Sequence, residues 1–164
     1  MTSTAHLIVL LLDINDNPPE FEHSLYEQTI PEDMPISSTI MRVFATSRDT
    51  GVNAEITYTI VGGNEQGKFS LDPVSGVLTI TEELDFEAVK EYMLTVQGND
   101  GGTPSLSNTA IVKINLTDAN DNTPVFAQTV YTAEVAENAR QGSNVMQVCV
   151  YTTYSTKYTT YFTK

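Results

Sequence analysis

The sequence predicts an all-β fold, a seven-stranded Greek-key sandwich of immunoglobulin-like shape, present as one complete copy with parts of two others. Three observations carry that expectation. Asp13-Ile14-Asn15-Asp16-Asn17 returns 105 positions later as Asp118-Ala119-Asn120-Asp121-Asn122, and Pro19, Phe21, Tyr26 and Glu32 recur in the same register as Pro124, Phe126, Tyr131 and Glu137. A long fixed period without gaps marks tandem copies of one domain-sized unit. Helical periodicity is absent, while short alternating runs recur between turn residues, as a half-buried β-sheet requires. About 100 residues suffice for one core without staples.

The strands follow in order at 26–30, 39–45, 55–60, 68–71, 77–80, 91–98 and 108–116. Alternation puts Ile56, Tyr58 and Ile60 on one face, as it does Tyr92, Leu94 and Val96, and likewise Ala110, Val112, Ile114 and Leu116. Gly62-Gly63-Asn64, Asp72-Pro73-Val74-Ser75-Gly76 and Gly101-Gly102-Thr103-Pro104 supply the turns. Seven short strands in this length fit a Greek-key sandwich. The domain limits expected from the repeat are 1–18 for the last strand and linker of a preceding copy, 19–122 for the complete copy, and 123–149 for the opening of a following one. Residues 150–164 form an aberrant Tyr/Thr-rich tail without an acid, and the counterpart of Asp49 there is Tyr154. High β-propensity with low charge makes such a tract sticky.

Composition narrows the function. Eight basic against 21 acidic residues give a net charge of −13. Nucleic acids and anionic membrane surfaces both require Lys/Arg clusters, so neither is expected as a partner. The single cysteine, Cys149, permits no internal disulfide and sits where Phe44 sits in the first copy, which suggests a buried apolar role. The apolar run 7–12 reads as interior strand, since it aligns with 112–117, rather than as a secretory leader, since no Lys or Arg precedes it. No stretch reaches the eighteen or so apolar residues of a membrane span.

The repeated boundary segments are rich in short oxygen-bearing side chains, the ligands a hard cation such as calcium requires. They are not EF-hand loops. Counted from Asp118, the sixth and twelfth positions are Thr123 and Thr129 instead of Gly and Glu. Pro18, Pro19 and Pro124 instead hold the chain extended, so that Asn120 and Asp121 point to different sides. Further acids gather at the unit boundaries: Glu32 after the first strand, Asp85 and Glu87 two apart, and Asp100 at a strand end. A glycosidase using Asp85 and Glu87 as its carboxylate pair is one competing reading, but both histidines lie outside any constellation. A calcium-stabilised carbohydrate-binding sandwich is another; it needs an exposed aromatic platform.

Taken together, these residues resemble the extracellular cadherin repeat. The matching segments are Glu32, Ser47-Arg48-Asp49-Thr50-Gly51-Val52-Asn53-Ala54, Asp85-Phe86-Glu87, Gly98-Asn99-Asp100-Gly101-Gly102, and Asp118 to Pro124. The resemblance covers 3–149 and is nearest in wording to the large Fat-like cadherins. It implies three calcium ions at each junction between repeats. At the downstream junction Glu32, Asp85, Glu87 and Asp121 would hold two ions with the carbonyl of Ala119, while Asn120 and the carbonyl of Asn122 would reach the third. At the upstream junction Asn15, Asn17, Asp49, Asn53 by its carbonyl, and Asp100 would hold the third ion, with Asp16 and Asp49 on the middle one. Ser47 departs from the family's pattern, replacing a carboxylate with a hydroxyl.

The resemblance also implies a non-enzymatic adhesion module. Calcium would stiffen its linkers, and its partners would be cadherin repeats of the same or a related protein on a neighbouring cell. The setting would be extracellular, within a parent anchored in the plasma membrane. Asn115-Leu116-Thr117 is a glycosylation sequon whose Asn115 should face outward. The apolar strand 5–12 and the Tyr/Thr tail, both unpaired, are expected to promote self-association.

Overall fold

Strand 108–116 anchors the molecule as its alternation requires. Ala110, Val112, Ile114 and Leu116 are all buried, and Asn115 stands on the opposite face. The computed structural model describes residues 1, 3–121, 123–151 and 158–163. It divides into two compact units, Met1–Ala119 and Asn120–Lys164.

In the first unit the strands are β1 (Glu20–Phe21), β2 (Leu25–Pro31), β3 (Thr39–Arg42), β4 (Ala45–Thr46), β5 (Ile56–Gly62), β6 (Phe69–Leu71), β7 (Val77–Ile80), β8 (Glu91–Asp100) and β9 (Ser107–Thr117). One layer is a four-stranded sheet in the order β2-β9-β8-β5, and the other combines β3-β7-β6 with the short pair β1-β4. β2 runs parallel to β9, while β8 pairs antiparallel with both β9 and β5. Between the layers lies a core that includes Leu78, Ile80, Leu94, Val96, Val112 and Ile114. Tyr26, Tyr58, Phe69 and Tyr92 are buried in it too, so they build no aromatic platform for a sugar. No helix among the described residues is long and apolar enough to cross a membrane.

Two expectations change, and a third falls outside the described residues. The strand expected at 39–45 is two strands, because its second part leaves β7 for a different partner, β1. Two tyrosine hydroxyls from the edges of the opposite sheet satisfy the backbone at this switch. Tyr26 donates to the Phe44 carbonyl at 3.0 Å, and Tyr58 accepts the Ala45 N–H at 2.9 Å. Phe44 itself is 42% exposed, so the counterpart position of Cys149 gives no reason to expect burial; the Cys149 side chain lies outside the described residues. Finally, residues 7–12 form no strand and are exposed, because a strand needs a neighbour and the described residues offer none.

Asp72 builds the turn into β7, accepting N–H bonds from Val74 at 3.1 Å and Ser75 at 2.7 Å. Gly76 closes that turn at φ +69°, and a Cβ there would collide with the carbonyl oxygen of Val43.

The second unit contains β10 (Val125–Phe126), β11 (Asn144–Tyr151) and β12 (Tyr158–Thr163) as one antiparallel sheet. Its pairs Val125↔Tyr151 and Phe126↔Val150 are the β1–β4 pairs displaced by 105 residues. Gln147↔Tyr161 and Met146↔Phe162 stand where Arg42↔Val77 and Met41↔Leu78 stand in the first unit, including the same irregularity one step on. The tail strand thus occupies the place of β7.

Tyr58→Phe should destabilise the chain by about 1–3 kcal/mol, since it strands the buried Ala45 N–H. A urea midpoint unchanged from the native chain would show that this amide finds another acceptor.

Candidate metal centre

Oxygen ligands collect at the two ends of the four-stranded sheet. Pairing along β8 sets Glu91 opposite Asn115 at one end and Asp100 opposite Ile56 at the other. The ten residues of β8 separate these ends by roughly 30 Å.

At the Asp100 end the carboxylate is 6% exposed. Its Oδ1 accepts the Leu106 N–H at 2.9 Å, the Gly102 N–H at 3.1 Å and the Asn15 amide at 3.1 Å. Asn15 also donates to the Pro104 carbonyl at 2.7 Å. A Cβ on Gly102 would fall on the Asn15 amide, so only glycine admits that approach. Burial works against ionisation of Asp100, but the bonds from Leu106, Gly102, Asn15 and Ser105 outweigh it and hold the carboxyl below its ordinary range.

The neighbouring residues extend the network. Asp49, also buried, accepts the Asn17 N–H at 3.1 Å and the Asn17 amide at 2.5 Å, and that amide reaches Asp16 at 2.6 Å. Ser47 Oγ donates to the Asn17 carbonyl at 3.0 Å and accepts the Asp49 N–H at 3.2 Å. Asn53 turns its amide to Asp13 at 3.0 Å. The expected upstream set, Asn15, Asp16, Asn17, Asp49, Asn53 and Asp100, is therefore joined through residues 13–17.

Asp13 was not among the expected ligands, although its recurrence as Asp118 was a signal. Its Oδ2 receives the Thr50 N–H and the Asn53 amide, each at 3.0 Å, which lowers its pKa. Gly102 was not among the expected site residues either, although it stands in the turn beside Asp100 and in the segment that matches the family's pattern.

Two oxygens here are buried and have no hydrogen-bond partner, Asn15 Oδ1 and Asp100 Oδ2. They belong to side chains bonded to each other. Leaving such atoms unpaired is costly, and a hard cation that takes six to eight oxygens is the ligand that suits them. The donor set fits calcium.

At the other end Glu32, Asp85 and Glu87 each place a carboxylate oxygen within 4.8 Å of the others. Glu32 is 4% exposed and held by the Phe86 N–H at 2.6 Å and the Ala119 N–H at 2.8 Å. Each of its oxygens keeps a second lone pair for a ligand. Asp85 accepts the Ala88 N–H at 2.9 Å. Burial and then the Asp85 charge push the Tyr92 hydroxyl pKa upward. Asn120 and Asp121 belong to the second unit, and Asn122 lies outside the described residues. On the outer face Asn115 donates its amide to Glu27 at 2.9 Å.

The family profile for the Cadherin domain matches residues 26–117. Over 148 residues the chain is 51% identical to "Protocadherin Fat 1" of Homo sapiens, covering 90% of this chain and 3% of that protein. It is 48% identical over 146 residues to the "Fat-like cadherin-related tumor suppressor homolog" of Drosophila melanogaster, covering 89% of this chain and 3% of that protein. A crystal structure of mouse Cadherin-23 EC22-24 superposes with a TM-score of 0.76 at 32% identity, covering 86% of this chain and 45% of that one. The chain thus spans only a small part of its relatives.

The depressed pKa of Asp100 fixes the sign of one pH effect. Its stabilising contribution is complete above the ordinary value of 3.8 and disappears as pH falls through the lower folded value. Asp100→Asn should therefore flatten the acid limb of the stability curve in metal-free buffer. Parallel melts of the two proteins between neutral pH and pH 2 test this, and identical limbs would contradict it.

Proposed function

The chain belongs to the cadherin family, and from that membership we propose that it is an extracellular calcium-binding repeat module of a cell–cell adhesion protein. The observation that carries the reading is the pair of unpartnered buried oxygens on Asn15 and Asp100, seconded by the three converging carboxylates of Glu32, Asp85 and Glu87. Asn15, Asp16, Asn17, Asp49, Asn53 and Asp100 would serve one junction. Glu32, Asp85, Glu87 and Ala119 would serve the other, together with Asn120, Asp121 and Asn122. The limits 1–18, 19–122 and 123–149 remain our assignment of linker, complete repeat and following repeat.

Calcium bound at these sites supplies positive charge and coordination, and no covalent bond changes. The residues themselves do the rest. Glu32 is presented rigidly by two backbone N–H groups, and Asp100 by three donors. The extended segment 13–17 is fastened to the loop 47–53. Removing the mutual repulsion of the carboxylates would stiffen each linker and present distal repeats to partner repeats on a neighbouring cell. The parent would be anchored in the plasma membrane.

Calcium at millimolar concentration should raise the melting temperature of the full chain, and equal magnesium should do much less, because magnesium demands tight octahedral geometry. Dissociation constants should be about 10⁻⁴–10⁻³ M, as for extracellular modules. No titration heat with millimolar calcium would overturn the reading.

Ser47→Asp gives a second test. It removes the hydroxyl donor to the Asn17 carbonyl and sets a carboxylate there instead. The variant should melt lower than the native chain without calcium yet show a larger calcium-induced rise. An unchanged rise would place Ser47 away from the ion.

We assign a glycan to Asn115 as well. Attachment would displace its bond to Glu27, which lies at the surface. Protein secreted from eukaryotic cells should lose mass on enzymatic deglycosylation, and an unshifted mass would refute the assignment.

A further inference from the structure

Asp13 stands outside the proposed ligand set, yet its carboxylate reaches from the linker to the loop that carries Asp49 and Asn53. Its Oδ2 accepts the Thr50 N–H and the Asn53 side-chain amide, each at 3.0 Å, from residues 37 and 40 positions along the chain. Thr50 precedes a single 3-10 turn, Gly51–Ala54, and Asn53 belongs to it. A turn this short contributes little stability by itself. Thr50 makes no side-chain cap bond to it, and none of its four residues is buried. What holds it therefore comes from elsewhere in the chain.

Two contacts supply that support. One is Asp13. The other is the residue after Asp100: a Cβ on Gly101 would lie 2.7 Å from the Val52 carbonyl oxygen and 2.9 Å from Val52 Cγ1, so glycine alone lets the turn come this close. The turn thus touches both the linker and the strand end, the two places that hold Asn15 and Asp100. Those two side chains are bonded to each other at 3.1 Å, and each keeps one buried oxygen without a partner. An ion seated on these oxygens needs Asp49 and Asn53 at a fixed spacing from them.

We propose that Asp13 is a positioning residue for the calcium site at the Asp100 end. It acts as a clasp that holds the turn Gly51–Ala54 on the linker, and so fixes Asp49 and Asn53 relative to Asn15 and Asp100 before any ion binds. The proposal rests on the calcium reading of that site and deepens it. Asp13 contributes by accepting two hydrogen bonds rather than by touching the ion. The Asn53 amide is committed to Asp13, which leaves the Asn53 main-chain carbonyl to serve the ion. Outer groups that orient metal ligands in this way are worth roughly 10- to 100-fold in affinity. The clasp also joins the linker to the complete repeat with no metal present.

Calcium titration of the full chain followed by NMR tests this, with the amide signals of Gly101 and Gly102 reporting the Asp100 end. In the native chain they should move and saturate with a dissociation constant of about 10⁻⁴–10⁻³ M. Asp13→Ala should weaken that response by about tenfold or more. Asp13 is exposed, so replacing it opens no cavity. Asp13→Asn keeps an acceptor oxygen for Thr50 and Asn53 while losing the charge, and should stay close to the native chain. Glu55→Gln, which removes an exposed acid two positions beyond Asn53, should behave like Asp13→Asn. In metal-free buffer the Thr50 N–H should exchange with solvent about tenfold faster in Asp13→Ala than in the native chain, because its charged acceptor is gone. Equal exchange at Thr50, native affinity in Asp13→Ala, or an Asp13→Asn chain as weak as Asp13→Ala would each overturn the proposal and leave the calcium reading standing. Native Gly101 and Gly102 signals that ignore calcium would overturn that reading and the proposal with it.

Discussion

The nine-residue antiparallel register between β8 and β9 is the constraint on which the rest depends. It fixes Leu94 and Val96 beside Val112 and Ala110, and so sets the core. The same ladder places Asp100 where the N–H groups of Gly102 and Leu106 converge. At its other end it delivers β9 to Thr117, whose carbonyl binds the Glu32 N–H at 3.1 Å. A slip of one residue would turn every buried side chain outward. It would also separate Asp100 from Asn15 and Glu32 from Ala119. Core and ligand clusters are thus specified by one set of backbone bonds.

Charge explains why the ends of the repeat are built so firmly. Two like charges about 5 Å apart repel by roughly 3 kcal/mol at an effective dielectric near 20, and Glu32, Asp85 and Glu87 are held closer than that. Backbone donors to Glu32 and Asp85 meet part of this cost, and the fold supplies the remainder from its core. The three carboxylates are thus held close together in a fixed geometry.

Much of this was legible in the sequence. The period of 105 anticipated the register in which the β1–β4 pairs recur as β10–β11, and alternation identified the inward residues of β5, β8 and β9. The carboxylates at 32, 85 and 87 were singled out before their convergence was visible. What alternation cannot register is a change of partner. The break at Val43 and Phe44 comes from β1 and two tyrosine hydroxyls distant in sequence, and nothing local in 39–45 marks it. Residues 7–12 failed as a strand for the opposite reason: the local pattern is strong, but sheet formation is a property of pairs. Asp13 and Gly102 were placed in their motifs but given no role, because those roles consist of contacts to Thr50, Asn53 and Asn15 that spacing alone does not reveal.

The parallel pairing of β2 with β9 bears on how the repeat carries load. The chain enters the repeat through the short β1, held on β4, passes into β2 and leaves through β9, and β2 and β9 point the same way. Tension along the chain therefore drags them past each other lengthwise. All seven residue pairs from Leu25↔Ile111 to Pro31↔Thr117 resist together in shear, where an antiparallel terminal pair would peel open one rung at a time.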